Sequence, residues 1–346
     1  MKHIFYVHSS ITYYMSMSVI KHKKLNNKEI IILCNRNYKN KYSNAHGYLC
    51  VNITNWKQLP HPLNIKSILK MGNFIKEFDV QMCNLIHNEP FIVYIPSSNT
   101  ISCQMLLTNK SCAGYHFIEE GLANYRMNLY YEPPVKRNFF ISILLKAYNL
   151  FSSRVQLDYP FLKPYKANKY EPHYYYLDNS IHRINKQHNH ILLPLYKEDN
   201  NAEFIYNNCV FFISESLLES RFCNENSLRT VLDKTFKKIK NISPIYIKFH
   251  PAQKELSRTL VYNVAKKYIS NVYIIDDSSS MEQIFIHSTN LKIIGFTSSL
   301  LFYANILNPS IEVLNIDNEL SLLDKKFNEH NRSLFFLSNQ INKVKF

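Results

Sequence analysis

Residues 3–35 are HIFYVHSSITYYMSMSVIKHKKLNNKEIIILCN, and this stretch decides the fold. A short apolar run, HIFYVHS, precedes a helical segment, ITYYMSMSVIKHKKLNN, which leads to a second apolar run, EIIILCN. Short apolar runs on either side of a longer helical segment are typical of parallel strands joined by a crossover helix. The stretch therefore predicts a strand–helix–strand unit that starts a parallel sheet.

The same alternation continues along the chain and separates it into two halves. The segments PFIVYIP and GYHFIEE are further predicted strands of the first half. In the second half, predicted strands in NCVFFISES, SPIYIKFHP, VYIID, LKIIGFTSS and IEVLNI alternate with predicted helices. Alternating strands and helices form doubly wound parallel sheets. We therefore predict an α/β fold of two Rossmann-like domains, residues 1–190 and 191–346, that face each other across a cleft.

The region from about 126 to 190 interrupts this alternation. It is rich in Tyr, Pro, Lys and Asn, as in DYPFLKPYKANKYEPHYYY. We interpret it as an insertion and interdomain linker within the first domain. Its aromatic side chains fit two uses equally well, stacking on sugar rings or packing in a core.

Composition narrows the class of partner. Hydrophobic residues make up 46% of the 346 residues, which is enough apolar material for two ordinary domains. Lys and Arg exceed Asp and Glu by 41 − 26 = 15, an excess typical of proteins with an anionic partner. The basic residues are spread through helices and linkers and form no stripe with aromatics, so we expect no nucleic-acid partner.

Cysteine and histidine spacing indicates a reducing compartment and no metal site. The seven cysteines are scattered without a CxxC pair, as buried thiols of a cytoplasmic protein are. The chain has no HxxxH motif, and its HxH, His188 and His190, lies in a polar stretch without an acidic neighbour. We therefore expect no protein-bound catalytic metal.

The sequence predicts no transmembrane helix, because it contains no uncharged apolar run of the length that spans a bilayer. The nearest candidate is NFFISILLKAYNLF, residues 138–151, which is flanked by basic residues. It fits either a buried amphipathic helix or a helix on a membrane surface. Peripheral contact with the inner face of the cytoplasmic membrane therefore stays open, as does pairing of two chains in a homodimer.

Polar residues follow three predicted strands at their carboxyl ends. The first set is Glu119 and Glu120, followed by Gly121, in HFIEEG. A carboxylate at the end of a strand can act as a general base, and a glycine permits the sharp turn that turns it outward. Taken alone, the motif fits a solvated strand-to-helix turn better than a catalytic site.

The second set is His250 and Pro251 in YIKFHP. A histidine here can donate a hydrogen bond to a phosphate and act as a general acid near neutral pH, while Pro251 fixes the following loop. Lys248, two residues earlier on the strand, is expected on the same face as His250. The alternative is a turn histidine without a catalytic role.

The third set is Thr297, Ser298 and Ser299 in IIGFTSS, before the predicted helix LLFYANIL. Hydroxyls and backbone N–H groups at a helix start form an anion site, although a serine there also serves as a plain N-cap. Glu282, in the first turns of an earlier helix, can accept both hydroxyls of a ribose. Its alternative is a surface carboxylate that suits the helix dipole.

Nucleotide-binding motifs of other classes are absent from the sequence. It has no GxGxxG, no Walker A motif and no DxD-type acidic pair placed as a divalent-metal site. A nucleotide monophosphate leaving group demands less charge neutralisation than a diphosphate. One histidine and a helix N-terminus can stabilise such a leaving group.

The acid-acid-glycine, His-Pro and Ser-Ser motifs, in this order and each closing an apolar strand, resemble those of bacterial sialyltransferases. The resemblance is strongest to glycosyltransferase family 52, the lipooligosaccharide sialyltransferases, and bacterial polysialyltransferases share the motif set. It covers residues from about 115 to 305 through three short motifs. It implies a GT-B fold, CMP-sialic acid as the donor, a glycan or glycolipid acceptor, and no metal or other cofactor.

The resemblance also implies roles for the residues of the first two motifs. Glu119 corresponds to the general base on the acceptor hydroxyl, with Glu120 in support. His250 corresponds to the residue that hydrogen-bonds the CMP phosphate and acts as general acid, and Pro251 shapes its loop. Many relatives have Asp–Asp or Glu–Asp in the first motif, so which of the two glutamates is the base stays open.

The remaining roles concern the CMP moiety. Thr297, Ser298 and Ser299 correspond to the phosphate-binding hydroxyl cluster, and Glu282 resembles the ribose-binding glutamate upstream of the Ser-Ser pair. The resemblance therefore implies an inverting, metal-independent sialyltransferase that acts on a galactoside of a cell-surface glycan such as lipooligosaccharide. The alternatives are a polysialyltransferase or capsule glycosyltransferase, and a basic α/β binding protein without catalysis.

Overall fold

The computed structural model describes residues 1–35, 38, 47–52, 65–121, 154–155, 172–177, 189–196, 205–242, 244–277, 279–296 and 298–333. The chain divides into two compact units, Met1–Tyr196 and Lys197–Phe346. Each unit is built on one parallel β-sheet with its own apolar core. The predicted fold class, two Rossmann-like α/β domains, is therefore confirmed.

The first unit alternates strands and helices as its sequence predicts. Its elements are β1 (Lys2–Val7), α1 (Ser10–Lys23), a 3-10 turn (Asn27–Glu29), β2 (Ile30–Cys34), β3 (Leu49–Asn52), α2 (Ile65–Ile86), β4 (Phe91–Ile95), α3 (Ile101–Leu107), β5 (Cys112–Ile118), β6 (Tyr174–Leu177) and β7 (His190–Leu193). The sheet order is β3-β2-β1-β4-β5-β6-β7, and each pairing is parallel. The strand order reverses between β1 and β4, which is the switch point of a Rossmann sheet.

Helix α1 begins almost directly after β1 because Ser9 caps it. The Ser9 hydroxyl accepts the Thr12 N–H at 3.3 Å, and the Thr12 hydroxyl oxygen accepts the Ser9 N–H at 3.1 Å. This reciprocal capping box satisfies donors that a helix start leaves unpaired. The Thr12 oxygen also accepts the N–H of His8 at 3.1 Å. The cap therefore fixes the backbone of the residue that follows β1.

The second unit repeats the pattern with a smaller sheet. Its elements are β8 (Val210–Ser214), α4 (Glu225–Lys238), β9 (Ile245–Phe249), α5 (Glu255–Tyr268), β10 (Val272–Ile274), α6 (Met281–His287), β11 (Lys292–Gly295), α7 (Ser299–Leu307), β12 (Glu312–Asn315), α8 (Asp317–Leu323) and α9 (Lys325–Ser333). The order is β10-β9-β8-β11-β12, again parallel throughout. Its switch point lies between β8 and β11.

Part of the Tyr-rich region belongs to the sheet of the first unit, because β6 lies within it and β7 begins at its end. Tyr174, Tyr175 and Tyr176 lie in β6 and are buried, so these three rings are core residues and not an exposed sugar-stacking surface. Aromatic residues pack well on a pleated sheet, and β6 pairs with β5. Since β7 then pairs with β6, the first unit continues to Tyr196, beyond the predicted boundary at residue 190.

The structure describes only part of the residues on which three other expectations depend: the segment 138–151, a membrane-spanning helix and the state of the cysteines. The segment 138–151 lies outside the described residues. Within the described part of the chain, no helix has the length and apolar character to cross a membrane. Among the cysteines whose side chains are described, Cys34, Cys83, Cys103, Cys112, Cys209 and Cys223 are free thiols.

Candidate active site

The first of the two adjacent acids, Glu119, is turned into the sheet. It follows β5, and its backbone N–H extends the ladder to the carbonyl of Tyr175 at 3.0 Å. Its side chain is 0% exposed, and its Oε2 accepts the backbone N–H of Leu177 at 2.8 Å. A buried carboxylate needs such donors, and this one ties the ends of β5 and β6 together.

The second acid, Glu120, lies toward the first strand of the chain. Its Oε1 lies 3.0 Å from Nε2 of His8, and the two side chains are 14% and 4% exposed, respectively. Successive residues of an extended chain point to opposite sides, which separates Glu120 from Glu119. The following Gly121 has a φ of +144°, and a Cβ there meets no atom within 4 Å. Backbone conformation, not space, therefore requires glycine at this turn.

His8 is a site residue that the sequence-based prediction does not contain. It directly follows β1, at the Rossmann switch point of the first sheet. The sequence signal for His8 is the same as for the other motifs: a polar residue directly after an apolar strand. In this case a serine N-cap, Ser9, follows it. An isolated histidine in that position is a weak pattern, and only the fold brings it to Glu120.

In the second unit, β9 carries His250 to the carboxyl edge of the sheet. Its backbone N–H lies 3.0 Å from the Ser214 carbonyl and 2.9 Å from Oε1 of Gln253. The Gln253 N–H returns to the His250 carbonyl at 2.9 Å, which closes a β-turn with Pro251 in its second position. Pro251 is exposed. The turn thus fixes the backbone of the loop that follows His250.

The tautomer of His250 follows from a third contact. Its Nδ1 lies 3.1 Å from the backbone N of Ala252, which can only donate, so Nδ1 accepts and the ring proton resides on Nε2. Burial lowers the pKa of His250, and the opposing charge of Glu219 does not reverse this. The side chain is therefore a neutral imidazole that presents an Nε2–H donor.

Lys248 does not add a second hydrogen-bond donor beside the Nε2–H of His250, because its ammonium is used within the protein. Its Nζ donates to the carbonyls of Asp276 at 2.6 Å and Ser279 at 3.2 Å, and burial lowers the pKa of its ammonium. It therefore holds the loop that leads into α6. Glu282 lies in the first turn of α6, where its Oε2 accepts the Ser280 hydroxyl at 3.0 Å. The contacts of Lys248 and Ser280 fix the position of the predicted ribose residue.

The Ser-Ser pair begins α7. Ser298 is buried and is the N-cap, with its hydroxyl oxygen accepting the Leu301 N–H at 3.3 Å. Ser299, the first helical residue, is exposed. The first N–H groups of a helix have no partner within it, so this end offers backbone donors beside the Ser299 hydroxyl. Thr297 lies outside the described residues.

Glu215, which the sequence-based prediction does not contain, lies in this second group. It follows β8, the strand between β9 and β11, and a side-chain hydrogen bond joins it to Ser298. Burial raises the pKa of Glu215 to about 7; the hydrogen bond to Ser298 opposes this rise, and the charge of Asp317 adds to it. The available signal in the sequence is an acid that directly follows the apolar run VFFIS.

The structure thus groups the predicted residues by unit. His250 and Pro251 follow β9, and Ser298 and Ser299 follow β11, the two strands that flank β8 in the second sheet, while Glu119 and Glu120 lie in the first unit. Among the described residues, no three His, Cys, Asp or Glu side chains are arranged to hold a metal ion. A hydrogen-bond donor, a helix start and two carboxylates are the chemistry of acyl, phosphoryl or glycosyl transfer.

A family model decides among these reactions. The model for alpha-2,8-polysialyltransferases (POLYST) matches residues 3–316. The chain belongs to the alpha-2,8-polysialyltransferase family. As a member of this family, the protein is a sialyltransferase, which confirms the predicted enzyme class. The match favours the polysialyltransferases, an alternative in the sequence analysis, over the lipooligosaccharide sialyltransferases that it put first.

Two solved structures illustrate the wider likeness of this polysialyltransferase-family chain. A sialyltransferase from Photobacterium damsela is 11% identical, with a TM-score of 0.46, over 94% of this chain and 78% of that chain. A UDP-GlcNAc 2-epimerase from Neisseria meningitidis is 12% identical, with a TM-score of 0.44, over 99% and 95% of the two chains. No curated protein matches the sequence. The family assignment therefore rests on the family model.

Proposed function

We propose that the protein is a polysialyltransferase, which moves sialic acid from CMP-sialic acid to the terminal sialic acid of a growing α-2,8-linked chain on a cell-surface glycan. The observation that carries this proposal is the family match over residues 3–316, because that span contains all three strand-end motifs. The formal net charge of +15 agrees with it, since donor, acceptor and product are all anionic.

The second unit supplies the groups for the donor. The neutral His250 donates its Nε2–H to the CMP phosphate, and the start of α7 with Ser299 binds the same phosphate through backbone and hydroxyl donors. Glu282 accepts the ribose hydroxyls. These donors stabilise the negative charge that grows on the phosphate as its bond to sialic acid breaks.

The first unit supplies the base. We assign it to Glu119, following the motif resemblance, and the Leu177 N–H orients its carboxylate. Because Glu119 is 0% exposed, acceptor binding has to open access to it. Glu120, paired with His8, supports the turn. The deprotonated acceptor hydroxyl then attacks the anomeric carbon in a single displacement with inversion, and no protein-bound metal enters the step.

The test is an assay with CMP-sialic acid and a fluorescent sialylated lactose, without added divalent metal. A ladder of products is expected. A single addition to an unsialylated galactoside instead supports the lipooligosaccharide-type sialyltransferase, and absence of any transfer overturns both.

Two variants then locate the base. Glu119→Gln should lower kcat by at least about 100-fold, which is the lower end for loss of a general base. Glu120→Gln should leave measurable transfer, because it removes only a supporting contact. If Glu120→Gln abolishes transfer and Glu119→Gln does not, the base is Glu120.

A further inference from the structure

The switch point of the first sheet lies between β1 and β4, and a polar residue follows each of these strands. His8 comes directly after β1, and Asn99 lies in the loop that leads from β4 to α3. Phe5 of β1 pairs with Tyr94 of β4 in parallel register, so the two loops leave the sheet at the same edge. Open parallel sheets bind their ligands outside this edge, at the switch point.

Each of the two loops holds one buried polar atom that its surroundings leave unpaired. Within the described part of the chain, Nδ1 of His8 and Oδ1 of Asn99 are buried and have no hydrogen-bond partner. The His8 side chain is only 4% exposed. Buried polar atoms of proteins are nearly always hydrogen-bonded. Two unpaired ones beside a single switch point indicate that a polar ligand is their partner.

The contact between His8 and Glu120 determines what kind of ligand fits. The Glu120 carboxylate can only accept, so Nε2 of His8, 3.0 Å away, is the donor. In the neutral imidazole, Nδ1 is then a hydrogen-bond acceptor. The amide oxygen of Asn99 is an acceptor as well. A ligand for both atoms has to offer two donors, which sugar hydroxyls do and carboxylate or phosphate groups do not.

The position of His8 is fixed at both ends of the residue. Its backbone N–H donates to the Thr12 hydroxyl oxygen at 3.1 Å, within the capping box that starts α1. Its ring is held at Nε2 by Glu120. A group that is already ordered loses little conformational entropy when a ligand binds. Nδ1 is therefore a preorganised acceptor.

We propose that Nδ1 of His8 and Oδ1 of Asn99 bind the two hydroxyls that flank the attacking hydroxyl of the acceptor sugar. This inference rests on the proposed function, in which the acceptor is a terminal sialic acid that reacts through its three-carbon polyol side chain. In an α-2,8 linkage the middle hydroxyl of that side chain attacks, so one hydroxyl lies on each side of it.

The consequence is a division of labour within the first unit. Glu119 takes the proton of the attacking hydroxyl, as proposed above, while His8 and Asn99 accept hydrogen bonds from its two neighbours. These contacts select the middle hydroxyl among three and hold it for reaction. His8 and Asn99 are therefore acceptor-binding residues that determine specificity, and Glu120 acts through His8 as a positioning residue.

The test uses sialylated lactose acceptors in which either the inner or the terminal flanking hydroxyl is replaced by hydrogen. For wild type, each replacement should raise the acceptor KM by about 10-fold, with kcat within about threefold. His8→Gln and Asn99→Ala should each raise the KM of the complete acceptor by about 10-fold. Each variant should then be insensitive to the loss of one of the two hydroxyls, because its own contact with that hydroxyl is already absent.

The matched control is His22→Gln, at an exposed position of α1, which should respond to both analogues as wild type does. Wild-type KM values that are unchanged for both analogues overturn the inference, and this measurement needs no variant to fold. KM losses that are additive between variants and analogues overturn it as well.

A third contradictory result concerns the donor, whose sialic acid carries the same side chain. If removal of these hydroxyls from the donor, and not from the acceptor, raises KM in a way that depends on His8, the two residues bind the donor sugar and the inference is wrong. Failure of the proposed function is distinct from all three results, because wild type itself then transfers no sialic acid to sialylated lactose.

Discussion

Nε2 of His8 lies 3.0 Å from Oε1 of Glu120, and this contact links the end of the first strand to the acid-acid-glycine motif. Both side chains are largely buried. Among the described residues, Nδ1 of His8 is buried without a hydrogen-bond partner. Glu120 is therefore the main polar contact of the His8 ring, and the two residues should act as one unit.

The first prediction is that His8→Gln and Glu120→Gln each lower kcat/KM by roughly 10- to 100-fold, since hydrogen bonds to charged groups contribute about 1.5–3 kcal/mol. The double variant should lose little more than either single one, because removal of either partner already breaks the pair. The measurement is a double-mutant cycle on transfer rates. Additive losses would show that the two residues act independently.

A second prediction concerns Gly295, the last residue of β11. A Cβ built on this glycine lies 2.6 Å from the Ile213 carbonyl oxygen and 3.2 Å from Cδ1 of Leu301. Backbone cannot withdraw as a flexible side chain can, so Gly295→Ala has to push β11 away from β8 or α7. The expected destabilisation is about 1–3 kcal/mol, measured by urea unfolding.

The matched control for Gly295→Ala is Ser270→Ala at an exposed position, which should change stability by less than about 0.5 kcal/mol. Because Gly295 lies three residues before Ser298, the variant should also weaken the CMP-induced rise in melting temperature. Unchanged stability in Gly295→Ala would mean that the close approach of β11 to β8 is easily relaxed.

Periodicity predicted the two Rossmann-like sheets because apolar strands and amphipathic helices have different repeat lengths. It missed β6, where Tyr174–Leu177 lie in a polar, proline-rich region that resembles a linker. That strand exists because it pairs with β5, and pairing between distant segments leaves no local signal. For the same reason, the first unit ends at Tyr196 and not at the predicted boundary of residue 190.

Site prediction from sequence depends on several residues that form a local motif, as in His250–Pro251. It missed His8 and Glu215, which are single polar residues after strands, and their meaning comes from neighbours far away in sequence. His8 meets Glu120, and Glu215 meets Ser298. Both contacts arise from the order of the strands at the switch points, and a short sequence pattern does not encode strand order.

A third prediction concerns acid stability and His116 on β5. Its ring is buried, its Nδ1 accepts the His173 N–H at 3.1 Å, and burial lowers its pKa to about 3. Because the folded pKa lies below the unfolded value of 6.5, the unfolded state binds more protons between these values. The stability that His116 supports is therefore complete above pH 6.5 and falls as the pH drops from 6.5 toward 3.

At pH 5 this single residue should cost about 2 kcal/mol of unfolding free energy relative to pH 7.5, since one unit of pH is worth about 1.4 kcal/mol per proton. Urea unfolding at both pH values measures the difference. His116→Gln should reduce the pH dependence, whereas His22→Gln, at an exposed position of α1, should leave it unchanged. Equal pH dependence in wild type and His116→Gln would contradict the assignment.

The fourth prediction concerns nucleotide selectivity and His250. CMP should raise the melting temperature more than UMP or GMP does, because the proposed donor carries CMP, and ligand at about 100 times its Kd adds about 2.7 kcal/mol to stability. His250→Ala should reduce the CMP effect and abolish transfer, since the Nε2–H donor to the phosphate is lost. His250→Asn, which retains a donor amide, should recover part of the CMP effect. A CMP effect that is equal in wild type and His250→Ala would remove His250 from the phosphate site and leave the start of α7 as its main anion-binding group.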